Sequence, residues 1–242
     1  MGNFTEQWRD FQRALSVHMQ LEDKGLFPLL DSVGNSAVTE AGLRDEHIND
    51  LKLREAVDKA IKKDDDEALK RAFDAWSEDH LAHLTHEEEV MMPIIPHTGK
   101  NCIEHGQVVN QRLLSMAQSI DEFDWALAWI LDNLGRANST NPPAEMMVRV
   151  FVWGLHYSAD ENQWQRWLPI VKTSVSSDLY QQMVSSFRID RPGRVGAVRN
   201  IEEEFGFLGA DSPKPVPFAV MRNTHEALRA SINEMNELLK AA

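Results

Sequence analysis

His18-Met-Gln-Leu-Glu22-Asp23-Lys-Gly-Leu-Phe-Pro28 and His83-Leu-Thr-His-Glu87-Glu88-Glu89-Val-Met-Met-Pro93 are two versions of one pattern. In each, a glutamate follows the histidine by four residues, a second acid by five, and a proline behind an apolar pair by ten. Residues four apart lie one above the other on a helix, so each copy offers an imidazole and a carboxylate on one face. Two such helices set face to face bring two nitrogens and two carboxylates into one space. That donor set suits a pair of transition-metal ions.

Outward from these copies, apolar residues recur in steps of three and four. Trp8, Phe11 and Leu15 lead into His18 and Glu22, and Leu69, Phe73, Trp76 and His80 lead into His83 and Glu87. Phe218, Met221, His225, Leu228, Ile232 and Met235 repeat the same steps near the other end. A fourth helix is expected over 39–61, with Leu43, His47 and Leu51 on one side. Alternating strand patterns and Asn-Gly turns are missing. The spacing therefore predicts an all-α chain. Breaks are expected at Gly34-Asn-Ser, at Lys63-Asp-Asp-Asp66 and from Pro93 to Gly99.

The apolar stripes share an anomaly. Each carries a histidine in its middle, and two carry a glutamate as well. Burying an ionised carboxylate or an imidazole without a partner is costly. Six such residues on four helices, His18, Glu22, His47, His83, Glu87 and His225, are better explained by cations at the centre. His80, one turn before His83, is either a further ligand or a hydrogen-bond partner of one. His86, His97 and His105 fall off the stripe or in loops and are expected in solvent, as are Glu88 and Glu89. Asp23 and Glu46 are plausible supports for the inner histidines.

Bulk properties limit the partners. A formal charge of −13 and scattered Lys and Arg argue against nucleic acid and anionic membranes. No apolar run approaches the roughly 20 residues of a membrane span. The first residues lack the basic start and apolar stretch of a signal peptide, and Glu6 breaks the myristoylation pattern. One cysteine, Cys102, leaves no internal disulfide and no thiolate cage. A cytoplasmic protein is expected.

Residues 99–190 form a second helical block that holds five of the seven tryptophans, Trp125, Trp129, Trp153, Trp164 and Trp167. Helices are expected near 108–118, 123–137, 144–158 and 176–187. The segment 191–217, with Pro213, Pro215 and Pro217 in alternation, reads as an extended connector with a short helix near 201–205. His156-Tyr-Ser-Ala-Asp160, followed by Pro169, faintly echoes the His/Glu pattern with the wrong spacing and an aspartate. It is taken as a copy without metal.

A His/carboxylate set without cysteine favours iron or manganese, and four-helix bundles commonly hold such pairs. The ferritin-like spacing Glu-x-x-His occurs nowhere in this chain. The doubled His-x-x-x-Glu instead resembles the hemerythrin-like family, the HHE cation-binding domains. There a lone histidine on the first helix precedes His-x-x-x-Glu on the second, a lone histidine on the third and His-x-x-x-Glu on the fourth. His18/Glu22, His47 and His83/Glu87 match the last three elements, and Met221-Arg-Asn-Thr-His225-Glu-Ala-Leu-Arg resembles the opening helix. The resemblance covers residues 5–96 plus 218–240, about half the chain, and implies an antiparallel four-helix bundle over residues 1–98 plus 218–242.

One departure stands out, since the lone-histidine helix comes last here. A circular permutation, a helix swapped into a second copy as a homodimer, or the start of a second repeat would each produce that order. Permutation within one chain is preferred, because no other helix can serve as the first.

The resemblance implies two iron ions, or manganese or a mixed pair, with a bridging oxo or hydroxo group. Glu22 and Glu87 would bridge them and His18, His47, His83 and His225 would cap the ends. It also implies binding or sensing of O2, peroxide or nitric oxide. An alternative is a di-iron or di-manganese oxidase or peroxidase, an oxidoreductase holding an organic substrate between the bundle and the Trp-rich block. In a third reading the metal is structural and the Trp-rich block recruits a partner.

Overall fold

The computed structural model describes residues 2–98, 102–137, 143–190 and 216–241, and its elements are all helical. Helix α1 (Gly2–Leu21) buries Phe4, Trp8, Phe11 and Leu15, the stripe expected from their spacing. It passes through one wide π-helical turn, Glu22–Leu26, into α2 (Phe27–Val33). Pro28 therefore sits in the first turn of a continuing helix, where its missing N–H costs little. In the second copy of the pattern the helix ends two residues before Pro93.

Helix α3 (Ala37–Ala41) and α4 (Leu43–Lys63) stand where one helix over 39–61 was expected. Gly42 separates them with φ of 77°, a left-handed conformation that glycine adopts at no steric cost. The buried face of α4 carries Leu43, His47, Asp50, Arg54, Val57 and Ala60, so Leu51 lies outside it. Asp64 ends α4 at φ of 55°. Asp65 then caps α5 (Asp66–Met91) by accepting from the Ala68 N–H at 2.9 Å. Asp66 and Glu67 follow in the first turn, where negative charge suits the helix dipole.

The second half contains α6 (Cys102–Ala117), α7 (Phe123–Arg136), α8 (Ala144–Ser158), α9 (Glu161–Ser174) and α10 (Ser177–Phe187). Helix α9 was not expected from the periodicity because Pro169 lies inside it. Its start was nonetheless written in the chain. Asp160 accepts from the Gln163 N–H at 2.9 Å, and the Gln163 side chain accepts from the Asp160 N–H at 2.8 Å. The aspartate of the faint His/Asp echo is thus a helix cap. His156 packs on Trp164 with ring centroids 4.7 Å apart. The short helix expected near 201–205 lies outside the described residues.

The last helix, α11 (Val216–Ala241), runs antiparallel to α1. Gln7 donates to Glu234 at 2.8 Å near one end, and the His18 and His225 rings lie 5.3 Å apart near the other. Helix α4 also opposes both α1 and α5. Trp8 donates to Asp58 at 2.7 Å, and Trp76 donates to Asp50 at 2.8 Å. Together α11, α1, α4 and α5 make an up-and-down bundle.

Below its polar layer the bundle is filled by aromatics. Trp8 meets Trp76 edge-on at 4.7 Å and Phe73 at 5.9 Å, and Phe11 meets Trp76 at 5.2 Å. Each such ring contributes about 1.5–3 kcal/mol by burial, plus a smaller gain from the edge-to-face geometry.

Helix α11 belongs to two cores at once. Leu228, Ile232 and Met235 pack into the bundle, whereas Ala227 joins the core formed by α6 to α10. Asn223 donates to the Met147 carbonyl of α8 at 2.9 Å. In the second core Trp164 donates to the Ile189 carbonyl at 2.7 Å, and Trp167 to Asp124 at 3.1 Å, which satisfies both buried indoles. No described helix is long and apolar enough to cross a membrane.

Candidate metal centre

Four helices deliver six side chains to the middle of the bundle. His18 and Glu22 come from α1 and its π-helical turn, His47 from α4, His83 and Glu87 from α5, and His225 from α11. Widened turns of this kind frequently mark functional positions. The six fall into two groups that share Glu87: His18, Glu22, Glu87 and His225 in one, and His47, His83 and Glu87 in the other. Glu87 and His225 have no exposed side-chain surface, and the remaining four are almost as deep.

Imidazole nitrogens face carboxylate oxygens throughout. His18 Nε2 is 3.2 Å from Glu22, and His83 Nε2 is 3.3 Å from Glu87. His47 Nε2 lies 3.4 Å from Glu87 and 3.6 Å from Glu22, and His225 Nε2 lies 3.5 and 3.8 Å from the same two. No hydrogen bond of good geometry serves His18 Nε2, His47 Nε2, His225 Nε2 or any of the four oxygens of Glu22 and Glu87. Such atoms are rarely left bare in a protein interior. Two ligands bound at about 2.1 Å to one ion are separated by roughly 3.0–3.5 Å. The orphaned atoms therefore fit a cation between them, and the absence of sulfur fits iron or manganese.

A second layer holds the rings. Asp23 lies 3.1 Å from His47 Nδ1, Glu46 2.7 Å from His83 Nδ1, and Glu88 3.0 Å from His225 Nδ1. A proton on Nδ1 directed at a carboxylate leaves Nε2 as the inward donor to metal. Arg44 and Arg229 in turn hold Asp23 and Glu88 at 3.3 and 2.8 Å.

Two expectations are corrected here. Glu88 does not face water but is largely buried on His225 and Arg229. His86 is not simply solvated, because its Nδ1 shares Glu46 with His83 at 2.7 Å. Periodicity could not reveal either, since both contacts cross between helices. The run of three acids after His86 was the available signal. Among the described residues no carboxylate sits on His18 Nδ1.

His80 stands apart from both groups. Its Nδ1 lies 2.9 Å from Asp50, which also accepts from Trp76 and pairs with Arg54 at 2.6 Å. Its ring stacks on Trp76 and approaches His83 with centroids 5.9 Å apart. Its Nε2 is nonetheless buried without a partner, like those of His18, His47 and His225.

Charge in this cluster is tightly constrained. Burial, and then the neighbouring Glu87, push the Glu22 carboxyl up to about 7. Burial would raise Glu87 too, but the imidazoles of His47 and His83 outweigh it and hold it well below the usual carboxylate range. Burial opposes charge on His47, His83 and His225, yet their flanking carboxylates raise them to about 10, 9 and 9. His18 is held well below its ordinary value by burial and by the charge on His225. Without metal, protons on three imidazoles neutralise the carboxylates.

Helices, donor atoms and spacing agree with one comparison in particular. Residues 2–95 match the hemerythrin HHE cation-binding domain. Comparison with curated proteins and with solved structures gives no significant match. The hemerythrin match spans five of the six convergent side chains, from His18 to Glu87. The sixth, His225, lies outside it and completes the cluster from the far end of the sequence. Over residues 2–95 the chain is thus similar to a cation-binding domain, and its buried His/Glu groups could hold a metal ion.

Proposed function

We propose that the cluster binds two iron ions and that the protein binds or senses O2 or a related small species such as nitric oxide. One observation carries this reading: seven buried donor atoms, orphaned within the protein, belong to two groups that share Glu87. His18, His225, Glu22 and Glu87 would hold one ion, and His47, His83 and Glu87 the other. When bound, reduced iron supplies electrons and an open coordination position to the incoming molecule. The chain's own residues do the rest. Asp23, Glu46 and Glu88 fix the imidazoles so that Nε2 points inward, and the buried aromatic floor excludes water from below.

Anaerobic loading with Fe(II), metal analysis and admission of O2 test the proposal. About two irons per chain are expected, with a ligand-to-iron charge-transfer absorption that grows on oxidation. Less than one iron per chain, or a spectrum unchanged by O2 and nitric oxide, would overturn it.

The supporting layer gives a second test. Glu46→Gln keeps the shape but removes the charge opposite His83 and His86. Iron affinity, measured by chelator competition, is expected to fall about 10–100-fold, with helix content unchanged. Unaltered affinity would show that Glu46 does not orient the ligands.

The order of helices is read as a circular permutation in cis. Gln7 and Glu234 touch, so the ends of α1 and α11 lie side by side. A short linker from Ala241 to Gly2, with new termini opened between Ala137 and Pro143, would restore the family order. That permutant is expected to keep its iron content and to melt within about 4 °C of the parent. Loss of iron from a well-folded permutant would rule out the cis arrangement.

A further inference from the structure

A cavity of about 80 Å3 lies where α1 meets α6, α7 and α8. On the bundle side it is bounded by His18 and Glu22, and on the other by Leu114, Leu127, Phe151 and Leu155. Ten of its fourteen lining residues are apolar, so a charged or strongly hydrated molecule gains nothing by entering. The size is equally restrictive. A cavity able to hold benzene is roughly 150 Å3, about twice the space here. A ring-sized organic substrate does not fit, whereas a diatomic gas or a xenon atom does.

The other half of the cluster has different surroundings. His47 borders a groove of about 490 Å3 shared with charged Asp23, Lys24, Arg44 and Arg54. One side of the centre therefore faces a mainly apolar wall, and the other faces a wider groove that carries four charged side chains. The roofing helices α6, α7 and α8 all lie outside residues 2–95. The chamber is an addition that this chain makes to the matched domain.

Resting on the metal reading above, we infer that this chamber admits a neutral diatomic molecule, O2 or nitric oxide, to the half of the centre formed by His18 and His225. Cavities walled by residues such as Leu, Ile and Phe take up apolar gases, and ten of the fourteen residues here are apolar. Hydrogen peroxide and anions are disfavoured there. The Trp-rich half of the chain thus acts as a filter in front of the candidate metal site.

Xenon binding to the metal-free protein, followed by 129Xe NMR, tests the chamber without any metal. The parent is expected to bind xenon saturably. Leu127→Phe, which fills the space, should weaken binding at least about tenfold, equivalent to ~1.4 kcal/mol, and Leu127→Ala should strengthen it. Should Leu127→Phe fail to fold, Val17→Leu, a smaller filling change in the same wall, takes its place.

In the iron-loaded protein the filled variant should slow association with O2 and with nitric oxide by a similar factor, at unchanged iron content. A rate change for one gas alone identifies which of the two the chamber serves. Absence of xenon binding in the parent, or a filled variant that binds xenon as the parent does, overturns the proposal. Failure to bind iron while xenon follows the variants would sink the metal reading and leave the chamber intact.

Discussion

Glu87→Gln protein, supplied with the same iron as the parent, is expected to lose nearly all of it. Glu87 is the one side chain common to both groups of donors. Removing its charge weakens both sites together, whereas a change at His18 or His83 acts first on one. Partners that merely orient a ligand cost about 10–100-fold in metal affinity, so loss of the shared carboxylate should exceed about 100-fold.

Glutamine keeps the shape but, in the metal-free protein, removes the carboxylate that the protonated His47 and His83 face, and breaking a buried pair is destabilising. The chelated variant should therefore melt below the chelated parent, with helix content unchanged at lower temperature. Metal analysis well below that transition separates loss of ligation from loss of folding. Full iron content in Glu87→Gln would dispose of the shared-carboxylate arrangement.

Chelation of the parent is the second large effect. With free metal about 1,000-fold above its dissociation constant, ligation adds about 4 kcal/mol, or roughly 8–16 °C in Tm for a chain of this size. The difference should widen between pH 7 and pH 10, for a reason that lies in the metal-free state. His47, His83 and His225 carry pKa values of about 10, 9 and 9 when folded, against about 6.5 when unfolded.

A raised folded value stabilises the fold below pH 6.5, and that contribution is lost as pH climbs through 9 to 10. His18 and His80, both lowered, are neutral in either state over this range. Glu22, raised to about 7, is half ionised at the lower edge, and completing its ionisation adds only a small further loss in the same direction. The metal-free protein should thus lose stability from pH 7 to 10 while metal binding, freed from proton competition, strengthens. Below about pH 6 the competition reverses and metal should leave. Parallel melting curves for the two forms across this range would refute the charge assignment.

Some of this centre could be read from the chain and some could not. His18 with Glu22 and His83 with Glu87 are legible because four residues make nearly one helical turn, and because they interrupt apolar stripes. His47 and His225 have no such partner; they stand out only as histidines within apolar stripes, and the resemblance to a known family gave them a place in the ligand set. The layer behind them was harder. Glu46 and Glu88 look like ordinary surface acids on their own helices, and their meaning comes from rings on a neighbouring helix. Helical periodicity announced α1, α5 and α11 plainly. It ran through Gly42, where one glycine at positive φ splits the expected helix, and it missed α9, where a proline obscured a good capping box. The π-helical turn after Glu22 leaves no mark in the apolar pattern at all.

The placement of His225 on the last helix also has a consequence for biosynthesis. A ribosome adds about 5–20 residues per second, so roughly 7–28 s separate the emergence of Glu87 from that of His225. During that interval the nascent chain holds two inward carboxylates and three histidines but no fourth wall. In the proposed centre the ion held by His47, His83 and Glu87 would therefore bind before the one that needs His225, so a nascent chain stopped short of α11 would carry an unfinished second site.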